Sequence, residues 1–140
     1  MSTEVLLVED NRPDAALVRD ALKRERLAVR VREFTDAETA ADYLRHMGNT
    51  PDFPCPEVVI MDLNVPRGNG LDLLKQIRAH PECGKVPVVV MSSSDSPRDR
   101  SAAENLGNTK FFRKPLDLDA FLEIGKIVRE ILEADRGSKE

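Results

Sequence analysis

The sequence predicts an α/β domain with a doubly wound, five-stranded parallel sheet and five helices. Its apolar runs at residues 5–8, 58–61 and 88–91 are continuous rather than alternating, which is typical of strands buried on both faces of such a sheet. Segments with helical spacing and capping residues follow these runs, and strands that alternate with helices favour parallel pairing. A chain of 140 residues with 41% hydrophobic residues can bury the core of one such domain.

The first strand leads into a helix that begins after Asn11. Asn11 can cap this helix, and Asp14 lies three residues later, where an acid suits a helix start. Residues 29–32 alternate valine with arginine, which indicates an outer strand. The next helix can be capped by Thr35 or by Asp36, and the sequence leaves both open.

The later helices are also marked by caps. Asn69 can cap the third helix and Ser96 the fourth. Gly107 can end the fourth, because glycine readily adopts the left-handed conformation found after a helix C-terminus. Residues 109–113 predict the fifth strand, and Asp117 begins one last helix.

Composition limits the domain organisation and the partners. We expect one domain over residues 1–135, a polar tail at 136–140 and no output domain. The net charge of -4, spread along the chain, disfavours direct binding to nucleic acid or to anionic membranes. The apolar runs are too short to cross a bilayer, and two acids interrupt the N-terminal run where a signal peptide would continue. We therefore expect a cytoplasmic protein without a membrane partner.

The two cysteines, Cys55 and Cys83, do not have the spacing of a metal-binding motif. In a reducing cytoplasm we expect both to be free thiols. His46 and His80 are expected near the same end of the sheet, so a Cys/His metal cluster is the alternative.

Acidic, hydroxyl and amine side chains follow the strands where the strands end. They are Glu9 and Asp10 after the first strand, Asp62 after the third, Ser92 after the fourth and Lys114 after the fifth. A single strand-terminal aspartate often only caps a loop. In a doubly wound sheet, however, ligands bind beyond the carboxyl ends of the strands, near the point where strand order reverses. The coincidence of these side chains therefore favours a functional site at this edge.

The acidic residues in this group predict a Mg²⁺ site. Carboxylates about 5 Å apart repel by roughly 3 kcal/mol per pair at an effective dielectric constant near 20, so the cluster is costly without a cation. Oxygen ligands without histidine or thiolate suit Mg²⁺. We expect Asp10 and Asp62 to bind the ion directly and Glu9 to act through water, with the backbone carbonyl of Asn64 as a further ligand.

A carboxylate beside a cation, an amine and a hydroxyl predicts phosphoryl transfer. Asp62 would attack phosphorus as a nucleophile and become an acyl phosphate. The cation and the Lys114 ammonium would neutralise the phosphoryl oxygens in the transition state. Ser92 would then donate a hydrogen bond to the transferred group.

The motifs LLVEDN, VVIMDLNVPRGNG, VPVVVMSSS and FFRKP span nearly the whole chain, and together they resemble the receiver domains of two-component response regulators. The resemblance implies a flavodoxin-like fold with strand order 2-1-3-4-5. It also implies that a sensor histidine kinase phosphorylates Asp62, that Phe111 is the switch aromatic, and that a cis peptide bond joins Lys114 to Pro115. Receivers often have threonine at the position of Ser92 and tyrosine at the position of Phe111.

A narrower likeness is to the single-domain receivers that serve bacterial phytochrome histidine kinases. It is based on LVEDN, GNTPDFPCPE and KPLDLDAFL. It implies a stand-alone regulator that signals to a downstream protein, or passes its phosphoryl group onward, through the fourth helix, fifth strand and fifth helix. Ile124, Ile127 and Ile131 broaden the apolar face of that last helix, which favours either a homodimer through this surface or simply a complete core.

Three other classes are alternatives. A haloacid-dehalogenase-type phosphatase needs a second aspartate two residues after the nucleophile, and this chain has Asn64 there. A flavin-binding module needs hydroxyls and glycine after the first strand, where this chain has Asp10 and Asn11. The third is a receiver-like scaffold that is never phosphorylated. We expect no enzymatic activity beyond self-phosphorylation and slow autodephosphorylation, since Ser94 lacks the acid or amide that could orient a hydrolytic water.

Overall fold

The computed structural model describes residues 3–48, 50–93 and 96–138, with side chains as far as residue 134, so Ser94 lies outside the described residues. Strands and helices alternate through this part of the chain: β1 (Thr3–Val8), α1 (Arg12–Arg24), β2 (Val29–Phe34), α2 (Ala37–His46), β3 (Val58–Asp62), α3 (Gly70–Arg78), β4 (Val88–Ser92), α4 (Pro97–Asn105), β5 (Thr109–Arg113), α5 (Leu118–Phe121) and α6 (Ile124–Ser138). No described helix is both long and apolar enough to cross a lipid bilayer.

The sheet has the strand order β2-β1-β3-β4-β5, as predicted. Every pair of neighbouring strands is parallel. The chain adds β2 on one side of β1 and β3 on the other, so strand order reverses between β1 and β3. This reversal places the crevice of a doubly wound sheet beside the ends of β1 and β3.

The core consists of two apolar layers, one on each face of the sheet. Val59 and Val90 pack in the layer formed with α2 and α3, whereas Ile60 and Val89 pack in the layer formed with α1 and α6. All four side chains are at most 1% exposed. Successive residues of β3 and β4 are therefore buried on opposite faces, which explains why their apolar runs are continuous.

The helices begin at the predicted caps. In four of them the cap side chain accepts the backbone N–H three residues later, and these caps are Asn11, Asp36, Asn69 and Ser96. The structure thus selects Asp36 rather than Thr35 for α2. Gly107, with φ of +84°, follows α4 in the left-handed conformation that the sequence predicts.

The last predicted helix is divided into α5 and α6. Asp117 caps α5, but the chain tightens before α6, where Gly125 N–H donates to the carbonyl of Leu122. Gly125 lies against α1 so closely that a Cβ there would be 2.5 Å from the Ala21 carbonyl oxygen. Helix α6 then runs to Ser138, so the segment predicted as a polar tail begins inside a helix.

The predicted free thiols are wrong, because Cys55 and Cys83 form a disulfide with their Cα atoms 5.5 Å apart. They precede β3 and β4, and the pairing of these neighbouring strands brings them together at the amino edge of the sheet. The alternative Cys/His metal cluster is not formed. Both ring nitrogens of His80 contact backbone, Nδ1 accepting from Cys83 N–H and Nε2 lying 2.7 Å from the Met47 carbonyl oxygen, and His46 Nδ1 contacts another backbone carbonyl.

Arg78 joins three segments at the same edge. Its guanidinium donates to the carbonyls of Gly84 and Val86, at 2.9 and 2.6 Å, in the loop before β4. It also donates to Gly107 and Asn108, both at 3.1 Å, in the turn before β5. The end of α3 is thereby connected to the starts of β4 and β5.

We expect Arg78→Ala to lower the free energy of unfolding by about 2 to 4 kcal/mol, because it leaves backbone carbonyls without their donor. Urea denaturation would measure the change. Arg45→Ala is the control, since Arg45 is exposed and pairs with Asp42 on the same helix. Arg45→Ala should lower the free energy of unfolding by about 0.5 kcal/mol or less. Equal losses in the two variants would contradict a bridging role for Arg78.

Candidate functional site

The structure brings the predicted site residues together at the carboxyl edge of the sheet. Glu9 follows β1, Asp62 and Ser92 end β3 and β4, and Lys114 follows β5. The backbone continues the strand pairing at this edge, since Glu9 N–H donates to the Phe34 carbonyl and Lys114 N–H to the Ser92 carbonyl, at 2.9 and 2.8 Å. The site is therefore built on the ends of paired strands.

The acidic cluster consists of Glu9, Asp10 and Asp62. Each offers a carboxylate oxygen, and these oxygens lie within 4.8 Å of one another. Glu9 and Asp62 are buried, whereas Asp10 is exposed. A divalent cation suits this set, because the donors are all oxygens and one side of the cluster faces solvent.

Lys114 is the cation that the chain itself supplies to the cluster. Its ammonium pairs with Glu9, with Asp62 at 2.9 Å and with Asp14 at 2.9 Å. The sequence did not predict the contact with Asp14, whose position three residues after a cap indicated only a helix start. The spacing of Glu9, Asp10 and Asp14 was the available signal, because a residue in the first turn of α1 can face the same edge.

Burial and ion pairing act in opposite directions on these groups. Burial alone would lower the pKa of Lys114, but hydrogen bonds to Glu9, Asp14 and Asp62 outweigh it and raise that pKa, so the amine stays charged. Burial raises the pKa of Glu9, against the opposing effects of Lys114 and of the Asn11 N–H. The Glu9 carboxylate is therefore costly to keep ionised, and a bound cation would offset that cost.

Asp62 is held in a defined orientation. Its Oδ1 accepts the backbone N–H of Asn64 at 2.8 Å, and its Oδ2 accepts from Lys114 at 2.9 Å. Gly70 packs directly against the backbone of Asp62 and Leu63. A Cβ at this position would lie 2.6 Å from the Asp62 carbonyl oxygen and from Leu63 Cα. The glycine at the start of α3 thus allows that helix to approach the backbone that carries Asp62.

Ser92 and Phe111 line a cavity of about 170 Å³ beside the cluster. Both are half-buried. The Arg100 guanidinium of α4 lies 4.8 Å from the centroid of the Phe111 ring, within the range of a cation–π interaction. The sequence did not predict this contact.

The peptide bond between Lys114 and Pro115 is trans, so the cis bond that the resemblance implied is wrong for this structure. The trans isomer is the more stable form of most X–Pro bonds. Lys114 still reaches the acidic cluster from the end of β5.

Comparisons with known proteins agree with this geometry. The response regulator receiver domain family matches residues 5–126. Response regulator Rcp1 of Synechocystis sp. is 30% identical, over 81% of this chain and 78% of Rcp1. The crystal structure of the phosphorylated cyanobacterial phytochrome response regulator RcpA has a TM-score of 0.82 at 29% identity, over 93% of each chain. The Mn²⁺-bound form of Rcp1 has a TM-score of 0.79 at 29% identity, over 89% of this chain and 91% of that one.

The family match and the shared fold show a signalling domain of the two-component type. The family model that matches residues 5–126 identifies the kind of signalling domain: the chain belongs to the response regulator receiver domain family.

We expect Asp10→Asn to weaken Mg²⁺ or Mn²⁺ binding about tenfold, or by about 1.4 kcal/mol, because the cluster loses one carboxylate. Stability should change little, since Asp10 is exposed. Isothermal titration calorimetry would measure the affinity. Asp20→Asn, which removes an exposed acid of α1 paired with Arg24, is the control. Unchanged affinity in Asp10→Asn would place Asp10 outside the cation site.

Proposed function

We propose that the chain accepts a phosphoryl group from a sensor histidine kinase on Asp62. The observation that carries this proposal is the contact of Asp62 Oδ2 with the Lys114 ammonium, at 2.9 Å, inside the acidic cluster. A carboxylate nucleophile beside a fixed positive charge is suited to phosphoryl transfer.

Each step of the transfer can be assigned to this chain's residues. The Asp62 carboxylate forms a bond to phosphorus, while the bond from phosphorus to the kinase histidine breaks and its electron pair stays on the imidazole. Lys114 neutralises charge on the phosphoryl oxygens, and Ser92 donates a hydrogen bond to them in the product. Mg²⁺, held by Glu9, Asp10, Asp62 and the backbone carbonyl of Asn64, would supply further neutralisation when bound. The Mn²⁺-bound form of Rcp1 supports a divalent ion here.

The switch that we propose uses Ser92 and Phe111. Phosphorylation adds negative charge and acceptor oxygens at Asp62, towards which Ser92 would move. The cavity of about 170 Å³ beside Phe111 leaves space for its ring to change position. Such a movement would alter the α4–β5–α6 face, formed by Pro97–Asn105, Thr109–Arg113 and Ile124–Ser138. To shift the populations of the two conformations of this face from 1:99 to 99:1, phosphorylation would have to stabilise one over the other by about 5.5 kcal/mol.

We infer the partners from chemistry and likeness. RcpA is a phytochrome response regulator, which supports a phytochrome-type histidine kinase in the cytoplasm as the phosphoryl donor for this chain. A downstream protein would read the α4–β5–α6 face or take the phosphoryl group onward. The serine at position 94 supports slow autodephosphorylation, because serine lacks the acid or amide that could orient a hydrolytic water.

We expect wild-type protein, incubated with Mg²⁺ and a small acyl-phosphate donor, to gain one phosphoryl group by intact mass spectrometry. Asp62→Asn should gain none, because it lacks the nucleophile, and Asp20→Asn should behave as wild type. No modification of wild type would favour a receiver-like scaffold that is never phosphorylated, while equal modification of Asp62→Asn would indicate another acceptor. A phosphoryl half-life of only seconds after donor removal would contradict slow autodephosphorylation.

A homodimer through the α4–β5–α6 face is also proposed. Strand β5 is an edge strand, and such an edge can pair with a second copy. The isoleucines of α6 contribute less than the sequence indicated, because Ile124 and Ile131 are buried in the core and Ile127 packs partly against it. For Ile124 and Ile131, the alternative that these isoleucines complete the core is therefore correct.

We expect light scattering after size-exclusion chromatography to show a dimer when the protein carries a phosphate mimic. Lys110→Glu reverses the charge on the exposed side of β5. It should change the dimer fraction, because charges that face each other across two paired edge strands affect the pairing. A monomer in every sample, with and without the mimic, would remove the dimer proposal.

A further inference from the structure

The three acidic partners of Lys114 are not equivalent. Glu9 and Asp62 belong to the group of mutually close carboxylates found among the described residues. Asp14 instead forms its ion pair with Lys114 from α1. Its Oδ2 atom lies 2.9 Å from the ammonium nitrogen, and its side chain is only 21% exposed. One partner of the lysine therefore lies outside the proposed phosphorylation and cation site.

The start of α1 directs Asp14 towards this contact. Asn11 Oδ1 accepts the Asp14 N–H at 3.0 Å and so caps the helix. In a capping box, the acid three residues after the cap bonds back to the cap N–H. Here the Asn11 N–H donates to Glu9 Oε2 instead, at 3.2 Å. The Asp14 carboxylate is thus available for Lys114.

We propose that Asp14 is a positioning residue that holds the Lys114 ammonium over Asp62 during phosphoryl transfer, an inference that rests on the proposed function. An ammonium group has three N–H donors, and Lys114 has three carboxylate partners. When the bond between Asp62 and phosphorus forms and the donor leaves with its electron pair, the Asp62 carboxylate becomes an acyl phosphate. Lys114 must then turn one N–H from Asp62 to a phosphoryl oxygen.

Asp14 is unchanged by that step. Glu9 lies in the cation cluster and Asp62 is the acceptor, so the reaction alters the surroundings of both. Asp14 takes part in neither role, and it can keep the lysine nitrogen in place while the other two contacts change.

The test compares the rates of phosphorylation of four proteins in Mg²⁺ and an acyl-phosphate donor. They are wild type, Asp14→Ala, Asp14→Asn and the α1 control Asp20→Asn. We expect Asp14→Ala to lower the rate at saturating donor about tenfold, as loss of a partner that orients a site residue typically does. Asp14→Asn keeps an acceptor oxygen and should lie between Asp14→Ala and wild type. The Mg²⁺ concentration at half-maximal rate should not change, and thermal unfolding should show a folded protein in each case.

The outcomes distinguish the positioning role of Asp14 from the proposed phosphorylation of Asp62. Wild-type rates in Asp14→Ala would overturn the positioning role and leave the proposed function intact. A loss that added Mg²⁺ restores fully would assign Asp14 to the cation site and overturn it as well. Absence of phosphorylation in wild type would overturn the proposed function and the inference together.

A second measurement reports the contact directly and needs no phosphorylation. The ¹⁵N-ammonium NMR signal of Lys114, assigned by its loss in Lys114→Arg, should shift or broaden in Asp14→Ala but not in Asp20→Asn. An unchanged signal in Asp14→Ala, in the presence of Mg²⁺, would show that Asp14 does not hold the lysine and would overturn the proposal.

Discussion

The ion pairs of Lys114 are the interaction on which the carboxyl edge of this domain depends. The Lys114 ammonium contacts three carboxylates: Glu9 after β1, Asp14 in the first turn of α1 and Asp62 at the end of β3. Carboxylates about 5 Å apart repel by roughly 3 kcal/mol per pair in a protein-like dielectric, so the edge needs the lysine even before any divalent cation binds. The same contacts raise the pKa of Lys114 and keep it charged. Stability and chemistry at this edge therefore have a common physical cause.

The two edges of the sheet perform different tasks. At the amino edge, the disulfide between Cys55 and Cys83 and the hydrogen bonds of Arg78 connect loops that precede β3, β4 and β5. At the carboxyl edge, the strands end on polar side chains at which we propose that a cation and a phosphoryl group bind. The covalent and guanidinium links lie at the opposite edge from Asp62 and Phe111, so the movement that we propose for the switch would leave them in place.

Much of the site follows from the sequence because parallel strands align their carboxyl ends. Once the runs at residues 58–61 and 88–91 are interpreted as buried strands, Asp62 and Ser92 must reach one edge, together with Glu9 and Lys114. The helix starts are equally local, since a cap bonds to a backbone N–H two or three residues away. These features require only residue type and spacing, and spacing along a strand or a helical turn converts directly into position.

The sequence by itself therefore determined the sheet, its strand order through the family resemblance, the caps of α1, α3, α4 and α5, and the group of residues at the carboxyl edge. Only the tertiary structure decided the disulfide, the division between α5 and α6, the pairing of Asp14 with Lys114 and the position of Arg100 over Phe111. Each of these depends on the distance between groups that are remote along the chain or lie on different elements. Such distances are set by how helices pack on the sheet, and no local pattern of residues encodes them.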